Sequence, residues 1–188
     1  MISVLFESHH LYYLPHLIPI MKELLRRSGY RMAASISRSV HPAEQEIFAR
    51  EMVNLEIEFI TGESEEARTS ALREEAFDVV IVGNVGRLHD IVADHSLAVM
   101  VYHGTGLKQV YYWDISDRID LRAVDCPLRW EELRSQGVTN GVLAGYTKLD
   151  DLTYAKEESA ELARKLGLEP DVRTVFYAPT FYPSSLDN

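Results

Sequence analysis

The stretch Leu97–Lys108, LAVMVYHGTGLK, joins an apolar run to a polar turn that contains two glycines. Its first part, Leu97–Tyr102, predicts a buried parallel strand, because strands covered on both faces read as continuous apolar runs. His103 follows at once, and ligands of open α/β sheets bind just beyond the carboxyl ends of the strands. The stretch therefore predicts a sheet of this kind and the position of its site.

The residues after this strand are suited to binding an anion. Gly104 and Gly106 let the backbone approach a ligand closely, and the N–H groups that open a following helix attract negative charge. Lys108 adds a full positive charge, and His103 can exchange a proton near neutral pH. The alternative interpretation is that His103 ends the strand and the two glycines form an ordinary turn.

Strand patterns alternate with helical patterns along the whole chain. The predicted strands are Ile2–Phe6, Arg31–Ile36, Leu55–Ile60, Phe77–Val82, Leu97–Tyr102, Leu121–Asp125, Val142–Ala144 and Thr174–Ala178. The predicted helices are one from Leu14 to Ser28, Pro42–Val53, Glu63–Ala76, Arg87–Asp94, one from Pro127 to Gly137, and Lys156–Leu166. Such alternation implies parallel pairing with right-handed crossovers. We therefore predict a doubly wound, mainly parallel, Rossmann-like α/β sheet.

The likeliest domain boundary is near residue 150. Residues 1–150 are predicted to form the Rossmann-like domain. Residues 151–188 are predicted to be a linker and the start of an incomplete second α/β domain, because one helix and one strand are too little for a domain of their own.

Composition excludes several classes of function. The net charge of −10 and the pI of about 5.1 argue against binding to nucleic acid or to anionic membranes. The single cysteine, Cys126, cannot form an internal disulfide, which favours a reducing compartment. No apolar run approaches the ~20 residues that span a bilayer. We expect a cytoplasmic protein, free or peripheral to the inner face of the membrane, with no transmembrane segment.

Three segments, in this order, resemble one family. HGTGLK at His103–Lys108 resembles the H-G-T-P-L-K motif of the CDP-glycerol glycerophosphotransferases, which polymerise teichoic-acid-type poly(glycerol phosphate). GYTKLDDL at Gly145–Leu152 is similar to that family's G-Y-P-(K/R)-x-D segment, and VFYAPTF at Val175–Phe181 to its I-L-Y-A-P-T-(W/F) strand end. Gly106 and Thr147 replace the prolines of the first two motifs.

The resemblance implies a GT-B arrangement, in which two Rossmann-like domains enclose the active cleft and this chain is the acceptor-side half. It implies that an acceptor hydroxyl attacks the phosphorus of CDP-glycerol and that CMP leaves. His103 would be the base of this reaction, and Gly104, Thr105 and Lys108 would hold the phosphate. The implied partners are CDP-glycerol, or a related nucleotide-activated substrate, and a hydroxyl-bearing polymer or lipid-linked acceptor.

The loop after the first predicted strand supplies further candidates. His9 and His10, with Tyr12 and Tyr13, are placed to line the same cleft and contact an acceptor; the alternative is that they lie on the surface or pack. Adjacent histidines in an extended loop point apart, and no cysteine or third histidine has zinc-like spacing. We therefore expect no metal and no cofactor. His16 lies on a predicted helix and is expected to be structural.

Three residues in the later motifs are also candidates for substrate binding. Lys148 and Asp150 lie at the predicted domain boundary. They either contact the substrate or simply form the charged start of a helix. Thr180 follows the last predicted strand and either meets a phosphate or belongs to a terminal turn.

Two other functions remain compatible with the sequence. The first is a GT-B nucleotide-sugar glycosyltransferase or an epimerase of the same architecture, in which the leaving group departs from a sugar carbon. The second is a binding module without turnover. Homo-oligomers are compatible with all of these functions.

Overall fold

The computed structural model describes residues 1–104, 116–154 and 159–177, without the side chains of 151–154 and 159. Contacts between Cα atoms divide the chain into two compact units, Met1–Asp150 and Asp151–Asn188. In the described part of the second unit, α6 (Ser159–Lys165) is the regular element. The assignment of residues 151–188 to a linker and a second α/β domain stays a prediction.

The first unit is built on one parallel sheet of seven strands in the order β3-β2-β1-β4-β5-β6-β7. The strands are β1 (Ile2–Ser8), β2 (Tyr30–Ile36), β3 (Glu58–Phe59), β4 (Val79–Val82), β5 (Leu97–Val101), β6 (Leu121–Val124) and β7 (Gly141–Leu143). Strands β1 and β4 are neighbours in space but not in sequence, so the strand order reverses between them. This confirms the predicted doubly wound, Rossmann-like α/β fold, and ligands bind at such a switch point.

Helices cover both faces of this sheet. They are α1 (Leu14–Arg26), α2 (Pro42–Asn54), α3 (Glu65–Glu75), α4 (Leu88–Ile91) and α5 (Pro127–Ser135). Side chains alternate along each strand, so in β1 Leu5 belongs to one buried core, and Val4 and Phe6 belong to the other. Each fully buried side chain of this size contributes roughly 1.5–3 kcal/mol.

Two helices begin at side chains that accept hydrogen bonds from their first turn. The Ser64 hydroxyl accepts the Ala67 N–H at the start of α3, and the His41 ring accepts the Ala43 N–H at the start of α2. Short 3₁₀ helices at Leu11–Tyr13 and Thr147–Tyr154 follow β1 and β7. Both therefore lie at the carboxyl ends of their strands.

Two predicted strands differ from the structure. The strand predicted over Leu55–Ile60 is reduced to Glu58–Phe59, an edge strand that pairs only with β2. The strand predicted over Thr174–Ala178 is not formed over its described part, 174–177. Val175 and Phe176 are 92% and 87% exposed there. A strand forms only as part of a sheet, and residues 174–177 belong to none of the seven strands of the described sheet.

Candidate functional site

Polar side chains from several strand ends meet at the carboxyl edge of the sheet. We define the carboxyl-edge site as the six aromatic rings named below, together with two polar side chains that follow β4 and β6. The rings, called the ring cluster, are His10, Tyr12, Tyr13, His16, His103 and Tyr146. The two polar side chains are Asn84 and Asp125.

Tyr12 is the centre of a column of three rings. It stacks on His10 with ring centroids 5.0 Å apart and on His103 with centroids 5.6 Å apart, at an interplanar angle of 11° in both pairs. Tyr13 meets His103 edge-on at 4.3 Å, and His16 lies 6.1 Å from His103. These contacts hold the half-buried His103 imidazole in a fixed orientation, since aromatic pairs at such distances contribute about 0.5–1.5 kcal/mol each.

Gly83, the first residue after β4, allows Tyr13 its position. A Cβ atom at Gly83 would lie 2.7 Å from the Tyr13 Cγ, closer than atoms can pack. The Tyr12 hydroxyl donates to the Tyr13 hydroxyl over 3.1 Å. The turn after β4 therefore supports the ring cluster directly.

Helix α5 fixes the end of β5. The Arg129 guanidinium donates to Asp125 Oδ1 over 3.1 Å and to the carbonyl of Gly104, and it lies 5.3 Å from the centre of the Tyr102 ring. Arg129 and Asp125 are almost fully buried. The buried ion pair of Arg129 and Asp125 thus holds the residues on both sides of His103.

Three buried polar atoms in this site have no hydrogen-bond partner among the described residues. They are Asn84 Oδ1, Asp125 Oδ2 and His16 Nδ1. Buried polar groups in folded proteins are bonded in the large majority of cases. Three exceptions at one edge of a sheet indicate groups that bind a polar ligand.

The rings of His16 and Tyr146 are neutral at pH 7. Burial lowers the pKa of His16, and the charge of Lys148 acts in the same direction, whereas Asp125 opposes them. Burial also raises the pKa of Tyr146, with a further contribution from the negative charge of Asp125. His16 and Tyr146 therefore offer hydrogen-bonding groups rather than charges.

The residues predicted from sequence fall into four groups. His10, Tyr12 and His103 come together in the ring cluster, with Gly104 beside them. His9 lies apart from the cluster, against the turn after β4. Lys148 and Asp150 are exposed in the 3₁₀ helix after β7. Thr105, Lys108 and Thr180 lie outside the described residues. The binding and catalytic roles assigned to all of these residues stay predictions.

Sequence reasoning placed Tyr13 with Tyr12 in the loop that lines the cleft, but it missed His16, Asn84, Asp125 and Tyr146 as site residues. The prediction that His16 is only structural overlooked its spacing from Tyr12 and Tyr13. Residues three and four positions apart lie on one face of a helix, and all three side chains precede or open α1. Asp125 is the last residue of the predicted strand Leu121–Asp125, and a polar residue at the carboxyl end of a strand resembles the signal that identified His103.

The described residues hold no group of three or more histidine, cysteine, aspartate or glutamate side chains that is arranged to bind a metal ion. None of the described helices has the length and apolar character to cross a membrane.

Comparisons by sequence found no matching family model and no significantly similar curated protein. Comparison by structure found the same fold in several solved proteins. MnaA of S. aureus, in complex with UDP, superposes with a TM-score of 0.59 at 14% identity, over 89% of this chain and 52% of that one. A putative UDP-N-acetylglucosamine 2-epimerase from Listeria monocytogenes gives a TM-score of 0.55 at 12% identity, over 88% and 51%. UDP-GlcNAc 2-epimerase from Methanocaldococcus jannaschii gives 0.53 at 14%, over 88% and 52%.

The chain spans about half the length of these structures, and it matches the amino-terminal half of a GT-B type fold. The expected membership of the CDP-glycerol glycerophosphotransferases is wrong, since the solved structures that share this fold are nucleotide-sugar epimerases. The predicted transfer of glycerol phosphate from CDP-glycerol, and with it a place in teichoic acid synthesis, is wrong for the same reason. The motifs behind that resemblance are short, and short segments recur on one architecture with different chemistry.

Proposed function

We propose that this protein acts on a nucleotide-activated sugar of the UDP-N-acetylhexosamine type, as an epimerase-like enzyme of GT-B architecture. The carboxyl-edge site binds the sugar part of the substrate. Support comes from the fold shared with a UDP complex and with UDP-N-acetylglucosamine 2-epimerases. This chain corresponds to half of such an enzyme, and the remaining substrate contacts are assigned to the other half.

The observation that carries the proposal is the set of buried polar atoms without a described partner. Asp125 Oδ2 and Asn84 Oδ1 are hydrogen-bond acceptors. Sugar hydroxyls and the N–H of an acetamido group are donors, and they match these acceptors. A phosphate offers mainly acceptors at neutral pH, and the carboxylate of Asp125 repels it. The site therefore favours the sugar over the phosphates as its occupant.

His103 is the candidate for proton transfer. Its imidazole is half-buried, fixed by Tyr12 and Tyr13, and lies beside the neutral ring of His16. Inversion at a sugar carbon that carries hydrogen requires a group that removes a proton and a group that returns one. An imidazole is suited to this exchange at neutral pH.

The test is calorimetric titration of the 188-residue chain with UDP-N-acetylglucosamine, with UDP alone and with CDP-glycerol. We expect the UDP-sugar to bind more tightly than either control. Asp125→Asn keeps an acceptor for Arg129 but removes the charge, and it should weaken sugar binding by about 10- to 100-fold, the loss of a charged hydrogen bond. Asp94→Asn, at an exposed position near the opposite edge, is the matched control and should leave binding unchanged.

Turnover is followed separately by NMR of the sugar anomeric protons. Where the chain converts the UDP-sugar to its epimer, His103→Gln should abolish conversion and retain binding. Binding without conversion by the wild-type chain would favour a binding module. Equal affinity for the three ligands, or no effect of Asp125→Asn, would contradict the proposed site.

A further inference from the structure

A buried acid–base cluster lies between β1 and α3. Glu7 is the penultimate residue of β1, and Arg68 belongs to α3. Both side chains are completely buried. Arg68 donates to Glu7 Oε1 over 3.1 Å and to the Ser35 hydroxyl over 3.1 Å, and it also binds both carboxylate oxygens of Glu65. One guanidinium therefore serves two carboxyl groups.

The two carboxyl groups share this cation unequally. Glu65 receives two bonds from Arg68, one of them from Nε at 3.0 Å, and a third from the Arg38 backbone N–H at 2.7 Å. Although burial opposes its ionisation, these donors lower the pKa of Glu65. Glu7 receives one bond from Arg68, and its Oε2 is buried with no partner among the described residues. Burial raises the pKa of Glu7 to about 7, against the attraction of Arg68.

His9 bridges this cluster to the loop after β4. Its Nε2 accepts the Arg87 backbone N–H over 3.1 Å and lies 3.2 Å from Glu7 Oε1. An imidazole nitrogen carries either a hydrogen or a lone pair in its plane, so the bond from Arg87 requires an unprotonated Nε2. Two acceptors at 3.2 Å repel each other unless one carries a proton. The contact therefore requires a proton on Glu7.

The surrounding charges favour this location of the proton. Burial lowers the pKa of His9; the charges of Arg68, Arg87 and a protonated His10 act in the same direction, and the negative charge of Glu65 opposes them. The loop itself packs on the imidazole: a Cβ atom at Gly86 would overlap the His9 ring.

We propose that Glu7 and His9 are coupled positioning residues that bind their first proton on the carboxyl group. His9 then stays neutral and holds the loop after β4 through the Arg87 N–H. A second proton goes to His9 Nε2, breaks this bond and releases the loop. In water the order is reversed, because imidazole takes its proton well before a carboxylate does.

This order of protonation does not rest on the proposed function, but its consequence for binding does. Gly83 begins the same loop and packs against Tyr13 of the ring cluster. Release of the loop therefore loosens the carboxyl-edge site. We expect ligand affinity to fall at low pH, with His9 as the group that titrates.

The proton order is tested by NMR of the free 188-residue chain. The side-chain carboxyl carbon of Glu7 and the ring carbons of His9 are followed from pH 4.5 to 8.5. We expect Glu7 to take its proton with a midpoint near 7 and His9 at a lower pH. A His9 that protonates while Glu7 is still ionised would overturn the proposal.

The loop is tested by hydrogen exchange of the Arg87 amide in the same samples. Its protection, corrected for the intrinsic rate, should be lost in step with protonation of His9. The control is the Leu97 amide, which donates to the Asp78 carbonyl over 2.8 Å and should keep its protection. Protection of Arg87 that does not follow the state of His9 would overturn the proposed coupling.

Glu7→Gln gives an independent readout through stability. A folded-state pKa near 7, above the ordinary 4.5, means that folded protein keeps a proton that unfolded chain has released. Glu7 therefore makes stability fall as pH rises from about 4.5 to about 7, and this fall should disappear in Glu7→Gln. The lowered pKa of His9 acts oppositely, so the variant should show only stability rising with pH. Glu23→Gln, at a surface position, should keep the fall in stability between pH 4.5 and pH 7, because the lowered pKa of Glu23 lies below that range. If Glu7→Gln does not fold, the titration of the wild-type chain decides.

Discussion

The two edges of the seven-stranded sheet carry polar groups of different kinds. At the amino edge, Ser3 and Asp78 exchange three hydrogen bonds of 2.8–2.9 Å at the surface. Arg31 there pairs with Glu58 and Glu75, also at the surface. These groups are satisfied by one another and open to water. They join neighbouring strands and leave nothing for a ligand.

At the carboxyl edge the polar groups are buried, and several lack partners. In addition to the three atoms of the site, Glu7 Oε2 has no hydrogen-bond partner among the described residues. Arg122 Nε, within β6 and away from this edge, is also buried without a described partner. A buried polar group without a partner costs about 1–3 kcal/mol. Among these described residues, the buried polar atoms without a partner therefore concentrate at the carboxyl edge, where ligands of this fold bind, and Arg122 Nε is the exception.

Among the substitutions that test this difference between the two edges, Arg68→Met should have the largest effect on stability. The substitution leaves the buried carboxyl group of Glu7 and the half-buried carboxyl group of Glu65 without their cation. Removal of one partner from a buried ion pair costs about 3–5 kcal/mol. Urea unfolding at pH 7 measures the free energy of unfolding directly.

The matched control for that substitution is Arg26→Met. Arg26 pairs with Glu23 at the surface of α1, where solvent screens the interaction. We expect little change in its free energy of unfolding. If the two variants were equally stable, burial would not distinguish the two kinds of ion pair.

Alanine substitutions at one glycine of each edge should have an effect of intermediate size on stability. Gly86, at the carboxyl edge, has a φ of +42°, and Gly29, at the amino edge, has a φ of +103°. Alanine at either position pays about 1–2 kcal/mol for the left-handed backbone. At Gly86 the Cβ of alanine would also overlap the His9 ring. At Gly29 the same Cβ would have no described atom within 4 Å, apart from the adjoining residues. Gly86→Ala should therefore cost a further 1–3 kcal/mol or so, measured by urea unfolding of both variants.

The two glycine variants should also differ in what they disturb. Gly86→Ala should shift the NMR signals of His9 and of the ring cluster, and Gly29→Ala should not. An equal cost at the two positions would mean that the turn after β4 adapts without strain.

The smallest effect is expected at the amino edge, from Ser3→Ala. Its backbone N–H and hydroxyl lower the pKa of Asp78 through their hydrogen bonds. Loss of the hydroxyl should cost about 1 kcal/mol and raise the pKa of Asp78 towards its ordinary value. Thermal unfolding measures the first change. Affinity for a UDP-sugar should be unaffected, and a loss of affinity would show that the two edges are not independent.

Much of the fold was predictable because it depends on local patterns. The apolar runs of β1, β4 and β5 are buried on both faces and identify themselves in sequence. The parallel pairing follows from the alternation of strands and helices, and it placed His103 at the carboxyl edge. Strand β3 was predicted too long, because an edge strand is limited by its one neighbour rather than by its own residues.

The sequence by itself determined the α/β class, the parallel sheet and the edge that carries the site, because periodicity and composition act over a few neighbouring residues. Only the tertiary structure decided that Tyr12, His16 and His103 meet, and that Glu7 shares Arg68 with Glu65. These contacts join residues far apart in the chain, and their chemistry depends on burial. The residues next to a polar group in the sequence do not determine whether that group is buried and desolvated when the chain folds.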